Sequence, residues 1–332
     1  MRRLFLAALI FVAIGPALGA RQVRPVVDTA SQDIAVHALG YPAGRAGALR
    51  FVRGWRLSSS NAMFGGFSSL AVTGPDRFQL VADNGYWARF AVLPGDRVAD
   101  ARIGKIPVPG GNVGKKSKSD VEALLFDPAT GQSRVALEFV NEVWRLDPTL
   151  GRIESRAALP RPHWPKNSGP EAMARLPDGR IVIFSENADD DPRGREALLF
   201  EGDPSVPGTR AQRFHYDAEG KGAVSDATTL PDGRILLVHR RVGFDPVFTT
   251  TVAIVDPADI RPGAVLRSRT IGRVPGALAD NYEGAAVTTD GARIFLWLVS
   301  DDNFNRWQRS LLVQFELVGL PVRAPDSKKA AR

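Results

Sequence analysis

Polar residues recur along the chain at intervals of about 50 residues, each at the start of a short apolar segment. Five such segments align, and the residues at the matching position are Ser68, Glu122, Glu171, Asp226 and Glu283. A second apolar run follows each segment, and the residues that end these runs are Asp83, Glu138, Glu186, His239 and Asp301. Carboxylates occupy all of these positions except Ser68 and His239. This recurrence indicates one role that is repeated in every unit.

Carboxylates that lie close together repel one another, so they must either retain protons or share a cation. Oxygen ligands of this kind suit Ca²⁺ and Mg²⁺, whereas a chain with no cysteine and only four histidines is a poor zinc protein. We therefore predict a divalent cation, Ca²⁺ or Mg²⁺, as the cofactor. The predicted metal ligands are Asp83, Glu122, Glu138, Glu171, Asp226, Glu283, Asp301 and Asp302.

Basic residues stand beside several of these acids, and this combination suits a metal-bound phosphate ester. They are Lys115, Lys116, Lys118, Arg161, His163, Lys166, Lys221, Arg240 and Arg241. In this hypothesis a metal-bound water is the nucleophile, and Arg240 with nearby lysines neutralises the phosphate. The predicted catalytic residues are Glu171, Glu186, Glu283, His239 and Arg240.

Two other functions fit the same residues. The acids of a repeat protein also serve as structural pins that accept hydrogen bonds from backbone N–H groups of the next repeat. The protein would then be a non-catalytic module that binds a ligand or a protein partner. A third hypothesis is a lactone or carboxylester hydrolase, because a metal centre supports that chemistry as well.

Short strands must position these residues. Asp-Gly turns at 178–179, 232–233 and 290–291 each separate two apolar runs, which is a strong hairpin signal. No segment shows sustained helical periodicity. Units of four strands repeated around an axis predict an all-β fold, a single β-propeller, with a β-sandwich as the alternative. In a blade the first strand starts, and the second strand ends, at the same face, so the acids would share one mouth of the central channel.

We count five blades, and six are possible if residues 26–39 contribute to another. The last unit lacks an outer strand, and residues 48–57 are predicted to supply it and so to close the ring. A closed ring needs no partner for its edges, which predicts a monomer. The predicted domains are a signal peptide over 1–20, an N-terminal extension over 21–46, the propeller over 47–318 and a disordered basic tail over 319–332.

The N-terminus reads as a signal peptide, because Arg2 and Arg3 precede an apolar run and small residues follow it. Cleavage near Gly19 or Ala20 would place the protein in the periplasm or outside the cell, with no membrane span left. The formal net charge of +7 favours anionic partners such as phosphate esters. Nucleic acid is not expected as a partner, since no basic helix or aromatic-basic strand motif is present.

Three motifs resemble the family called esterase-like activity of phytase, or phytase-like domain. They lie at Gly65–Ala71, Asp280–Gly284 and Val299–Phe304, and the resemblance runs from Gly65 to Leu317. The chain departs from the pattern at His239, where an acid is expected, and at Ser69, where glycine is expected. The resemblance implies hydrolysis of phosphoesters or phosphodiesters. The residues it points to are Glu122, Glu171, Glu186, Glu283, Asp301 and Asp302.

Overall fold

Five antiparallel sheets surround one axis in the computed structural model, which describes residues 28–109, 119–160, 164, 168–186 and 193–323. The innermost strand of each sheet contacts the innermost strands of both neighbouring sheets, and the last contacts the first. The ring is therefore closed, and the fold is the predicted β-propeller with five blades rather than six. The predicted signal peptide and most of the predicted basic tail lie outside the described residues and stay predictions.

Each of the first four blades contains four antiparallel strands in sequence order. Blade 1 consists of β4 (Phe67–Gly74), β5 (Arg77–Ala82), β6 (Tyr86–Leu93) and β7 (Arg97–Lys105). Blade 2 consists of β8 (Val121–Phe126), β9 (Ser133–Leu137), β10 (Glu142–Leu146) and β11 (Ile153–Ala158). Blade 3 consists of β12 (Pro170–Arg175), β13 (Ile181–Ser185), β14 (Arg195–Phe200) and β15 (Ala211–Asp217). Blade 4 consists of β16 (Ala223–Thr229), β17 (Ile235–Val242), β18 (Phe248–Val255) and β20 (Arg269–Arg273).

Blade 5 joins the two ends of the chain. Its inner strands are β21 (Tyr282–Asp290), β22 (Arg293–Ser300) and β23 (Leu311–Leu317). The outer strand is β3 (Leu49–Ser58), which pairs antiparallel with β23, as predicted for residues 48–57. The strands β1 (Ala35–Ala38) and β2 (Arg45–Ala46) pair with β3 and extend this blade, so the described part of the segment 26–39 does not build a sixth.

The outer edge of blade 4 differs from those of the other blades. The sequence of residues 265–271 predicts one outer strand. Instead β19 (Val265–Arg267) pairs in parallel with β15 of blade 3, and only β20 pairs with β18. Two 3₁₀ turns, Pro257–Asp259 and Gly276–Leu278, lie in the connections around these strands.

The hairpins between the first and second strands follow from their glycines. Gly179, Gly233 and Gly291 adopt positive φ angles of 89°, 84° and 56°, which suit a residue without a Cβ atom. These turns lie on the face opposite the first-strand starts. The sequence therefore fixes the direction of each inner strand and sends the acidic ends to the other face, here called the mouth face.

An apolar layer lines the central channel below the mouth face. It consists of equivalent residues of the five innermost strands, all buried: Leu70, Leu124, Met173, Ala227 and Ala285. The same residues line a cavity of about 410 Å³ that opens on the opposite face. This layer therefore separates that cavity from the acidic mouth.

Candidate functional site

A β-bulge near the start of every innermost strand builds the mouth of the channel. In each blade, one residue of the innermost strand has no pairing partner on the second strand. These unpaired residues are Ser68, Glu122, Glu171, Ser225 and Glu283. A bulged residue does not take part in the regular pairing, and bulges often redirect a side chain toward a functional site. The five residues form one ring of equivalent positions.

The register of blade 4 corrects the sequence alignment by one residue. The bulge places Ser225, not Asp226, at the position of Glu122. The hydroxyl of Ser225 donates a hydrogen bond to the carbonyl oxygen of Val238 at 3.3 Å, and the hydroxyl of Ser68 donates to that of Val81 at the same distance. The second strand is shifted likewise, because Val224 pairs with His239 as Val121 pairs with Leu137. Arg240, the next residue along, therefore takes the position that an acid occupies in the other four blades.

Among the residues that the structure describes, eight carboxylates and one arginine line a cavity of about 360 Å³ at the mouth. The acids are Asp83, Asp120, Glu122, Glu138, Glu171, Glu186, Glu283 and Asp301, and the cation is Arg240. Phe139 and Asn303 complete the lining. A single guanidinium cannot balance eight ionised acids, so the cavity must retain protons or admit cations.

Two groups of three acids have the spacing of a cation site. The first contains Asp120, Glu122 and Glu138, and the second contains Glu138, Glu171 and Glu186. Within each group, one carboxylate oxygen per residue lies within 4.8 Å of the others. Oxygens bound to one Ca²⁺ are each 2.3–2.6 Å from the ion and so lie at most about 5 Å apart. The donor set and its spacing therefore fit a hard divalent cation.

The surroundings of these acids disfavour their ionised forms. Burial raises the pKa of Glu122 well above its usual range, and the negative charges of Glu171 and Glu283 raise it further. Burial, followed by the charges of Glu186 and Glu138, has the same effect on the pKa of Glu171. Burial raises the pKa of Glu138 to about 7, with a contribution from Asp120. A bound cation would reverse this repulsion and favour the charged forms.

Arg240 is held on the side of the cavity away from Asp120. Its guanidinium donates to Glu283 Oε1 at 2.6 Å and to Asn281 Oδ1 at 2.9 Å, and it lies 3.4 Å from Glu186 Oε1. Asn281 is fully buried and donates in turn to Glu283 Oε1 at 2.9 Å and Asp301 Oδ2 at 3.3 Å. Positive charge is therefore fixed between blades 3 and 5, next to Glu186 of the second acid group, whereas the first acid group lies at blade 2.

Three predicted site residues do not line the cavity. Asp226 accepts hydrogen bonds from the backbone N–H groups of Ala227 at 2.7 Å and Ala285 at 2.6 Å, so it pins blade 4 to blade 5. Asp302 accepts from Gly66 N at 3.0 Å and Ser310 Oγ at 2.8 Å. Both carboxylates fill the structural role that was the alternative to metal binding.

His239, the third, is fully buried behind Arg240. Its Nε2 lies 2.6 Å from the hydroxyl of Tyr216, which also lies 2.6 Å from Ser268 Oγ. Burial lowers the pKa of His239 to about 3, so the ring is neutral. Its Nδ1 lies 3.4 Å from the carbonyl oxygen of Thr251, which assigns the proton to Nδ1 and makes Nε2 the acceptor from Tyr216. The structure does not bring it to the cavity with the other predicted catalytic residues, Glu171, Glu186, Glu283 and Arg240.

Sequence reasoning missed Asp120, which is buried and belongs to the first acid group. It lies before β8 and not within it, two residues ahead of Glu122. Alternate residues of an extended chain point to one side, so a second acid two positions from Glu122 was the available signal. Of the predicted basic residues, Lys115, Lys116, Lys118, Arg161, His163 and Lys166 lie outside the described residues.

Several solved structures resemble this chain at low identity. Glutaminyl cyclase of Myxococcus xanthus is 14% identical, with a TM-score of 0.48, and the match covers 81% of this chain and 97% of that one. Hydrazine synthase of Kuenenia stuttgartiensis is 12% identical, with a TM-score of 0.40, and the match covers 73% and 58%. A protein of unknown function from Desulfotomaculum acetoxidans is 13% identical, with a TM-score of 0.37 and coverage of 74% and 72%.

No curated protein matches the chain. In the part of the chain that the structure describes, no helix has the length and hydrophobicity needed to cross a membrane. The family model described as phytase-like, "esterase-like activity of phytase", matches residues 62–304. This match runs from just before blade 1 to just after β22 and contains every carboxylate of the cavity. The chain therefore belongs to the phytase-like family.

Proposed function

We propose that this protein is a divalent-cation-dependent hydrolase of phosphoesters that acts at the acidic cavity. The observation that carries the proposal is the cavity lining, in which eight carboxylates face a single arginine. Membership of a family described by esterase-like activity fits a hydrolase. The excess of acids supports cation binding, and the arginine supports an anionic substrate.

Asp120, Glu122 and Glu138 would hold one cation, and Glu171 and Glu186 would hold a second or share the first through Glu138. A divalent cation bound there would activate a water molecule and neutralise charge on a phosphoryl group. The two groups share a ligand, so two cations would lie close together, as in sites that stabilise both the attacking and the leaving oxygen.

Arg240 would orient the substrate. Its guanidinium carries five donors, and Glu283, Asn281 and Glu186 hold it from both sides. The donors not used in these contacts are available to the oxygens of a phosphoester. Below the acids, the apolar layer gives the channel a wall of low polarity, which would strengthen electrostatic interactions beside it.

The test combines calorimetric titration of Ca²⁺ and Mg²⁺ into chelator-treated protein with a panel of phosphomonoester, phosphodiester, carboxylester and lactone substrates. We expect cation binding, and phosphoester turnover that chelation abolishes and the cation restores. Glu171→Gln should lower cation affinity and turnover by roughly 10–100-fold. The matched control is Glu201→Gln, at an exposed residue that pairs with Arg210.

Other outcomes separate the alternatives. Turnover of carboxylesters or lactones without turnover of phosphoesters would favour the ester hydrolase hypothesis. Absence of both cation binding and turnover, with Glu171→Gln changing only stability, would show that the acids are structural and favour a binding module. Phosphoester turnover that persists in chelator would contradict cation dependence.

A further inference from the structure

Exposed aromatic side chains are concentrated on the mouth face. Among the described residues, the exposed phenylalanine and tryptophan side chains are Phe244, Trp307 and Phe304, which are 86%, 58% and 48% exposed. Phe244 lies in the turn between β17 and β18, and the other two lie in the loop between β22 and β23. Second strands end and third strands begin at the mouth, so all three side chains stand around the acidic cavity.

The Phe244 turn begins next to the cavity. Arg240 lines the cavity, and residues 241–247 that follow it are all exposed. This projecting segment carries two further exposed apolar side chains, Val242 at 66% and Val247 at 43%. Apolar groups on a convex tip cannot contribute to the core of this chain, because nothing packs over them.

The loop that carries Phe304 and Trp307 is held rigidly at the mouth. Asn303 and Phe304 both adopt positive φ angles, 47° and 52°, which are uncommon for residues other than glycine. The ring of Phe304 packs so closely on Gly66 that a Cβ atom there would lie 2.4 Å from it. Conformations of this kind persist where the surroundings enforce them, often at functional sites. The exposed ring is therefore a fixed feature of the rim.

Cations without acidic partners surround these tips. Arg241, Arg273, Arg306 and Lys105 are exposed at the mouth face, and none of them forms an ion pair with another described residue. Most arginines elsewhere on the described surface are paired, as Arg50 and Arg293 are with Glu316. The rim therefore combines apolar tips with four unpaired cations and one exposed acid, Asp245, in the Phe244 turn.

This combination fits a lipid surface better than a protein partner. The apolar side chains stand on separate tips of two blades with a polar cavity between them, whereas a protein interface has a contiguous apolar centre. Aromatic side chains beside basic residues suit the headgroup region of an anionic bilayer, where the rings enter the interface and the cations meet lipid phosphates. The opposite face has no exposed aromatic side chain among the described residues.

We propose that the mouth face docks on an anionic phospholipid surface, with Phe244 and Trp307 as apolar anchors and Arg241, Arg273 and Arg306 as electrostatic contacts. Docking in this orientation places the acidic cavity against the lipid headgroups. The interaction does not depend on turnover, so it stands apart from the proposed hydrolase activity.

The experiment is co-sedimentation of the full chain with vesicles of phosphatidylcholine, with or without phosphatidylglycerol, in buffer that contains chelator. The chelator removes the cation site from the test, so failure of docking and failure of the proposed function are distinguishable. We expect binding only to the anionic vesicles and its loss at high salt. The double variant Phe244→Ser/Trp307→Ser should lower the partition coefficient by about tenfold or more, and Arg241→Ser/Arg273→Ser/Arg306→Ser should also lower it.

The control is Leu93→Ser/Val206→Ser, which removes two exposed apolar side chains from the opposite face, 37% and 42% exposed. It should bind as the unchanged protein does, with circular dichroism confirming the fold of every variant. Absence of vesicle binding, or equal loss in the control, would overturn the proposal. Sedimentation velocity adds a second check. If the unchanged protein is a dimer and only the Phe244→Ser/Trp307→Ser variant is a monomer, the mouth face is a contact between two copies of the chain. That result would also overturn the proposal.

Discussion

Glu138 belongs to both acid groups of the cavity, and its pKa lies in the range where a change of pH alters its charge. Its pKa is about 7 in the folded protein, against an ordinary value of 4.5. Between these values the folded chain binds more protons than the unfolded chain, so the free energy of unfolding falls as pH rises. We expect the cation-free protein to melt at a lower temperature at pH 8 than at pH 5.

Thermal melting in chelator at several pH values, with and without Glu138→Gln, checks this prediction. The variant should reduce the pH dependence, because glutamine does not titrate, and the effect should be on the order of 1–3 kcal/mol. Glu201→Gln, on the exposed surface, should leave the dependence unchanged. A melting temperature that rises with pH in the cation-free protein would contradict the prediction.

Asp226 makes a separate prediction, because it is buried and bonded to two backbone N–H groups outside the cavity. Asp226→Ala leaves both groups without an acceptor, which should lower the free energy of unfolding by about 2–4 kcal/mol. Urea unfolding measures this loss, with the exposed hairpin variant Asp290→Ala as its control. Cation affinity should stay the same, and a selective loss of affinity in a folded variant would assign Asp226 to the site instead.

Much of the site could be predicted from residue types and spacing, whereas the site residue of blade 4 could not. Glu122, Glu171 and Glu283 follow from their spacing, because they start equivalent strands. Ser225 and Asp226 are adjacent and both polar, so an alignment by residue type favours the acid. Only the β-bulge shows that the serine is equivalent, and a bulge depends on pairing with the second strand rather than on the local sequence.

At the scale of elements, Gly65 and Gly66 connect the start of blade 1 to the loop that follows β22. Both have positive φ angles, and a Cβ atom on Gly66 would collide with the ring of Phe304. Gly66→Ala should therefore destabilise the protein by more than the cost of about 1–2 kcal/mol for a left-handed alanine, and displace Phe304.

The matched control is Gly95→Ala, because Gly95 also has a positive φ angle, 77°, but its Cβ atom would meet nothing within 4 Å. Urea unfolding should show only the backbone cost in the control and a larger loss in Gly66→Ala. Equal losses in the two variants would show that the contact with Phe304 contributes nothing.

The hairpins and the closing strand show which elements the sequence predicts well. Asp-Gly turns require positive φ and lie between apolar runs, so the strands on either side of Gly179 and Gly233 follow directly. The division of residues 265–271 between two blades was not predictable in this way. Val265–Arg267 has the same apolar and basic character as an ordinary outer strand, and only tertiary contact with β15 decides its pairing.

At the scale of the whole molecule, ring closure depends on β3, whose Phe51, Trp55 and Leu57 are buried. A chain that begins at Ser59 would lack this strand and expose the edge of β23. We expect it to aggregate and to melt more than about 10 °C lower than a chain that begins at Asp28. Light scattering and thermal melting of the two truncated chains measure this, and equal behaviour would show that closure is not needed for stability.

The apolar layer of Leu70, Leu124, Met173, Ala227 and Ala285 lies between the acidic cavity and the cavity of the opposite face, and the two cavities share no lining residue. A charged compound that enters at the mouth would have to cross this layer to leave at the other face, so we expect substrate and product to use the same opening. A charged polymer would meet the same layer, so a chain end or a side group is the part that it can present. The acidic cavity therefore admits a compact substrate, or one headgroup of a larger assembly.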